Sequence, residues 1–347
     1  MITIPNRIAR LNFLLAAIVL SSSAIIARAQ QSPHHPSPHV SSGYIPHRVY
    51  KSGDKRFSDF EAMLAELSRA DVAFVGEQHY DPPTHRIERA ILEGLARRRD
   101  NVIVAMEMFE RDTQPSLDDY LAGRLSEEEF LNASRPWPNY PTDYRPLIEF
   151  SRAHRWKVIA SNAPRPIAQQ VSRQGLDAAR SGVASERNLV AAEFACPMDD
   201  YFKRFSEAMG KGHPGAHQKQ SDEKQSDKKQ EEDKKREEER RAVIERYYYA
   251  QCVKDETMAE SIAKALGTQS NAQGGPLVVH FNGAFHSDYR LGTASRVVRR
   301  LPKSNVKVVS VVPVENLDLI NVDEYRKRGD YIIFTLKPPA LQETRSN

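Results

Sequence analysis

Six side chains stand out because each closely follows an apolar, β-branched run. Glu77 and His79 follow Val72-Ala73-Phe74-Val75-Gly76, and Glu107 follows Val102-Ile103-Val104-Ala105-Met106. Asn162 follows Val158-Ile159-Ala160-Ser161, and Asn282 with His286 follows Leu277-Val278-Val279-His280-Phe281. A run of this kind that ends in polar groups reads as a buried parallel strand delivering its last residues to the carboxyl edge of a sheet. All strands of a parallel sheet end at one edge, so these carboxylates, imidazoles and amides should converge. Two histidines and two carboxylates can hold a divalent metal with an open position, or serve as general base and acid without one. Glu77, His79, Glu107 and His286 are the ligands in the first case and the catalytic groups of a hydrolase in the second, with Asn162 or Asn282 polarising a carbonyl. Gly76 and Gly283 fit sharp turns that need positive φ. Neither lies in a G-x-G-x-x-G or Walker A spacing, which excludes a phosphate loop. His85, six residues after His79, faces either the site or solvent.

The elements that must position these groups are readable in outline. Ser58-Asp59-Phe60-Glu61 has the form of a capping box opening a helix with Phe60, Met63, Leu64 and Leu67 on one face. Thr84 fits the N-cap of a second helix, which carries Ile87, Ile91, Leu92 and Leu95. After Asp112 a helical excursion, with a capping box at Ser126 to Glu129, passes over the sheet edge, and Trp137, Tyr140 and Tyr144 are placed to line what lies beneath. Val306 to Val312 and Tyr331 to Phe334 supply further strands. Strand alternates with helix over connections long enough for crossovers. This predicts an α/β fold, a mainly parallel, doubly wound sheet with flanking helices and a smaller helical subdomain, over residues 49–340.

The 347-residue chain opens with Arg7 and Arg10, an apolar stretch from Leu11 to Ile26, and Ala27-Arg28-Ala29. That is the pattern of a cleavable signal peptide over residues 1–29, and it places the mature protein outside the cytoplasm, periplasmic or associated with the outer membrane. Its removal takes away three positive charges and no acid, so the formal +4 falls to about +1. A near-neutral balance excludes a nucleic-acid partner. Residues 30–48, rich in Pro, Ser and His, read as a disordered leader, and 341–347 as a tail. In an oxidising compartment Cys196 and Cys252 either close a disulfide or remain structural thiols. Residues 211–241 carry ten basic and nine acidic side chains. Such an insertion is either disordered or a solvated helix laced with pairs such as Glu231 with Lys235 and Glu237 with Arg241.

Four motifs occur in order: Val75-Gly76-Glu77-Gln78-His79, Met106 to Pro115, Ser161-Asn162-Ala163-Pro164-Arg165, and Asn282-Gly283-Ala284-Phe285-His286. Together with Asp255-Glu256-Thr257-Met258-Ala259 they resemble the ChaN-like family of haem-binding uptake proteins in the Tiki superfamily, over roughly residues 70–312. The resemblance implies an exported or surface-attached protein with a role in haem or iron uptake, and it allows for a homodimer and membrane-associated uptake partners. Haem or another small ligand would then be held at the sheet edge under a helical lid, by a set drawn from His79, Glu107, Asn162, Arg165, Tyr247, Tyr248, Asn282 and His286. The run Tyr247-Tyr248-Tyr249 offers a phenolate ligand, although on a helix the three point about 100° apart. No C-x-x-C-H is present, which excludes covalent c-type haem. The wider superfamily implies a second outcome, a metal-dependent protease or esterase with Gly76, His79, Glu107 and His286 in the active site and Glu77 as a further acid. This chain departs from the family in lacking a lipobox cysteine and in carrying the charged insertion.

Overall fold

Runs such as Val72-Ala73-Phe74-Val75 have no polar face to turn to water, so each becomes an interior strand covered on both sides. The computed structural model describes residues 44–181, 188–211, 227–267 and 274–338. The signal peptide, most of the leader, residues 212–226 of the charged block and the tail lie outside them. The strands are β1 (His47–Lys51), β2 (Arg56–Ser58), β3 (Val72–Glu77), β4 (Val102–Glu110), β5 (Lys157–Asn162), β6 (Leu277–Gly283), β7 (Val306–Val314) and β8 (Tyr331–Leu336). They form one sheet in the order β2-β1-β8-β7-β3-β6-β4-β5. From β8 to β5 every neighbouring pair is parallel, and β1 and β2 add an antiparallel hairpin at one edge. The expected mainly parallel sheet is therefore present. The hairpin was not expected, because its short strands expose Arg56 and Phe57 and lack an alternating pattern. The first strand starts at His47, and Ile45 before it already packs against the core.

The described helices include α1 (Phe60–Leu67), α2 (Pro82–Ala96), α3 (Gln114–Leu121), α4 (Glu127–Ser134), α5 (Arg145–Ala153), α6 (Arg165–Gln174), α7 (Asp200–Lys211), α8 (Asp227–Leu266) and α9 (Gly292–Arg300). One face of the sheet packs Val75, Val104, Val279 and Val309 against α1 to α5. The other packs Phe74, Val278 and Val308 against Ala259 and Ile262 of α8 and Val297 of α9. A satellite core of Val171, Ala178, Val190, Ala250 and Val253 joins α6 to α8, which is the smaller helical subdomain. Among the described residues no helix is long and apolar enough to cross a membrane.

Two helix starts differ from expectation by a few residues. Asp59, not Ser58, caps α1 by accepting from Ala62 N, and Asp81, not Thr84, caps α2 by accepting from the Thr84 amide and hydroxyl. A carboxylate that already reaches the orphan amides leaves the hydroxyl without that role. The Ser126–Glu129 capping box of α4 forms as expected. Residues 231–241 are helical and exposed, within the 40-residue α8. Their pairs are Asp233 with Arg236, Glu237 with Arg240 and Arg241 with Glu245, which replace the expected Glu231–Lys235 and Glu237–Arg241 pairs. Cys196 and Cys252 form a disulfide that fastens the segment before α7 to α8.

Candidate functional site

The carboxyl ends of three adjacent strands, β3, β6 and β4, meet at a cleft of about 710 Å3 that Glu77, His79, Glu107 and His286 all line. That volume suits a small-molecule ligand. Glu107 is not at the end of its strand but within it. The β4–β5 register jumps between Met106 and Glu110, and this irregularity turns Glu107 toward the cleft.

His286 sits between two carboxylates. Its Nε2 lies 3.2 Å from Glu107 Oε1 and its Nδ1 2.7 Å from Asp255 Oδ1, with the residue 5% exposed. Burial works against its charge, but the two carboxylates outweigh it and push its pKa up to about 10. In turn, burial raises Glu107 and Asp255, yet the imidazolium holds both carboxyls below their usual range. Asp255 is itself fully engaged, accepting also from Thr293 Oγ1 at 2.7 Å and Tyr201 Oη at 2.8 Å. Tyr201 therefore stays a phenol, its pKa raised well above the ordinary value by burial and by Asp255.

His79 is arranged differently. Its Nδ1 donates to Glu77 Oε1 at 2.6 Å, while Tyr144 Oη donates to the same oxygen at 2.7 Å. A carboxylate on Nδ1 fixes the ring and leaves a lone pair on Nε2. Burial lowers the His79 pKa, but Glu77 and Glu107 together raise it. Trp137 stands edge-on to the His79 ring, 4.7 Å between centroids, and His79 keeps about a third of its side chain exposed (34%).

Glycine is required here for space rather than for dihedral freedom. Gly283 has φ −52°, but a Cβ on it would lie 2.6 Å from His79 Cε1, and its amide donates to Glu107 Oε2 at 2.7 Å. Gly76 would meet Ala284 Cα at 3.0 Å. The expectation of positive φ at these two positions is thus replaced by one of close approach. Gly283→Ala should force the imidazole toward the cleft mouth and cost about 1–3 kcal/mol of stability. Chemical denaturation, with His79 ring resonances followed by NMR, checks both effects.

Other expected site residues lie elsewhere. Asn162 donates to the Glu107 carbonyl at 3.0 Å and accepts from Ala163 N, so it pins the β4 irregularity and does not line the cleft. Asn282 donates to Gly283 O and Ser287 Oγ, fixing the turn that presents His286. Arg165 is exposed and pairs with Glu110, in a separate shallow pocket with Arg135. Tyr247 is 47% exposed, and the buried Tyr248 donates to Pro197 O at 2.6 Å while packing on Tyr201 and Phe202. The helix turn that buries Tyr248 carries Tyr247 out to solvent. The cleft's wall also includes Trp137, Phe205, Met209, Phe285 and Leu291, the cations Arg204, Lys254 and Arg328, and the acids Glu207 and Asp288, of which Asp288 pairs with Arg328 at 3.3 Å.

A family model described as haem-binding uptake, Tiki superfamily, ChaN matches residues 63–297. The chain belongs to the ChaN haem-binding family. The solved structure described as cofacial heme binding to ChaN of Campylobacter jejuni is similar to it with a TM-score of 0.57, covering 84% of this chain and 97% of that one at 15% identity. At that identity the likeness shows the fold. Protein RETICULATA-RELATED 5, chloroplastic, of Arabidopsis thaliana is 23% identical over 265 residues, which are 74% of this chain. The chain spans 33% of that relative's length. A mutant of the erythromycin esterase EreC in its open conformation matches with a TM-score of 0.41 at 11% identity, covering 86% of this chain and 85% of that one. No weight rests on a likeness at that score.

Two site residues of this ChaN-family chain come from helices rather than from strand ends. Tyr201 lies in the first turn of α7, and Asp255 is an acid among Cys252, Val253 and Met258 on the buried face of α8. A carboxylate on an otherwise apolar helix face was the available signal, since it needs a buried partner. Its neighbour Glu256 is equally buried and holds Arg296, Arg299 and Arg300 of α9.

Proposed function

We propose that the protein binds haem in this cleft, and that His79 is the side chain that would hold its iron. The observation that carries the reading is the combination of one partly exposed imidazole oriented by Glu77, an aromatic and apolar wall, and the cations Arg204 and Lys254. Trp137, Phe205 and Phe285 suit the flat faces of a porphyrin, and Arg204 and Lys254 suit its carboxylate groups. When bound, haem supplies an iron centre. The protein's part is to orient His79 through Glu77, to keep the wall apolar, and to hold charge at the rim. Tyr201 is a poor phenolate donor because Asp255 keeps its proton in place.

Haemin titrated into the purified protein should give a saturable Soret shift. His79→Ala should lose that spectrum and bind more than about tenfold more weakly, a change of about 1.4 kcal/mol. Tyr247→Phe and Tyr248→Phe should titrate as the parent does. A His79→Ala protein with an unchanged spectrum and affinity would overturn the assignment of the ligand.

We further read the chain as exported and engaged in haem or iron uptake. The pattern of residues 1–29 supports this, and so does a disulfide, which persists in oxidising compartments. A metal-dependent hydrolase built on Glu77, His79, Glu107 and His286 is less well supported. Both ring nitrogens of His286 already face carboxylates, so neither is offered to a metal or a substrate proton.

A further inference from the structure

Behind the cleft, on the far side of Glu77, lies a second group of ionisable side chains. His85 and Glu88 are three residues apart on one face of α2, and Glu77 reaches them from the end of β3. His85 Nδ1 lies 3.0 Å from Glu88 Oε2 and 3.6 Å from Glu77 Oε2. One ligand atom from each of the three residues lies within 4.8 Å of the others, and among the described residues this is the one such group of His, Cys, Asp and Glu. Glu77 and Glu88 are 1% and 0% exposed. Two of their oxygens, Glu77 Oε2 and Glu88 Oε1, are buried without any hydrogen-bond partner.

The charges around these two oxygens point the same way. Asp143 joins the group from the other side, 3.4 Å from His85 Nε2. Among the described residues, the ion-pair partners of Glu77, Glu88 and Asp143 are His79 and His85 alone, with no Lys or Arg. Three buried carboxylates therefore share two imidazoles. Buried carboxylates left in this state are costly unless a cation or a proton neutralises them.

The imidazole is already set for a metal. His85 Nε2 faces the His79 carbonyl at 3.2 Å and Asp143 Oδ2, and Asn139 Nδ2 donates to both of those oxygens at 2.8 Å. A hydrogen on Nε2, shared with those oxygens, would turn the Nδ1 lone pair toward the two glutamates once a cation replaces the Nδ1 hydrogen bond to Glu88. An outer carboxylate and carbonyl that fix the tautomer of a ligating histidine are a recurrent feature of metal sites.

We propose that Glu77, His85 and Glu88 bind a first-row divalent cation, separate from the haem cleft and one side chain deeper. One imidazole with two carboxylates suits Mn2+, Fe2+ or Zn2+ better than Mg2+ or Ca2+, which favour oxygen alone. Glu77 belongs to both sites. Its Oε1 holds His79 in the cleft and its Oε2 is free for the cation.

The test uses haem-free protein, so it does not depend on the haem reading. After chelator treatment, protein dialysed against Zn2+ or Mn2+ should retain about one ion per chain, measured by elemental analysis, and the ion should raise Tm. Glu88→Gln preserves shape and should lose both the ion and the Tm shift, with its fold checked by circular dichroism. His79→Ala should keep the ion, whereas a cation held in the cleft would be lost with that imidazole. The proposal is overturned if the wild-type protein holds no ion, if Glu88→Gln holds as much as wild type, or if His79→Ala releases it. A Glu88→Gln protein that is simply more stable, with no ion bound by wild type, would assign the pair to a shared proton instead.

Discussion

Replacing His286 with Gln should lower the unfolding free energy at pH 7 by on the order of 3–5 kcal/mol, because it leaves Glu107 and Asp255 buried without their common cation. The same contact predicts how wild-type stability varies with pH. The folded pKa of about 10 stands above the ordinary value of 6.5, so the native state binds a proton that the unfolded chain releases. The contribution is complete below about pH 6.5 and is lost as pH rises through about 10. On the acid side the sign reverses. Glu107 and Asp255, held below their usual values, withdraw their contribution as pH falls through the carboxylate range. Urea unfolding from pH 5 to 10 should show midpoints declining above pH 6.5 in wild type. A flat profile across that range, or one unchanged by His286→Gln, would remove the imidazolium from its place between the two acids.

Removing the disulfide should have an effect of similar size. Cys196 and Cys252 are 56 residues apart in sequence, and the entropy of closing such a loop corresponds to about 4 kcal/mol. The Cys196→Ser, Cys252→Ser double variant should therefore unfold at clearly lower denaturant, and reductant should reproduce the effect in wild type. The ligand should register the loss as well. Tyr201, Arg204, Phe205 and Met209 of α7 follow Cys196 directly and wall the cleft, so the double variant should bind haemin more weakly at temperatures where it is still folded. Equal haemin affinity in the reduced and oxidised proteins would mean that α7 is held by its other contacts alone.

Much of the fold and part of the site were legible because buried parallel strands announce themselves. Val72 to Val75 has no polar face and Leu277 to Phe281 carries only the buried His280, so the polar residues that follow each run fall at the sheet edge. That logic reaches Glu77, His79, Glu107 and His286, which do line one cleft. It fails where position along the chain does not dictate direction. Asn162 and Asn282 stand at the correct edge, but their short amides are spent on neighbouring backbone. Tyr247 and Tyr248 are adjacent on a helix, and a single step of that helix separates solvent from core. Asp255 was legible as part of a motif but not as a site residue, because a helix discloses its buried face only once its neighbours are known. The hairpin of β1 and β2 carries too few apolar residues to mark its inner side.

The central place of β6 has a consequence for the order in which the molecule can be made. β6 separates β3 from β4, yet it begins at Leu277, long after both have left the ribosome. Until that residue emerges, β3 and β4 each present an unpaired apolar edge, the kind of template on which chains join one another instead of folding. The parallel core of the sheet therefore cannot close between β3 and β4 until β6 has been made. The cleft itself, needing residues from Glu77 to His286, is among the last parts to assemble.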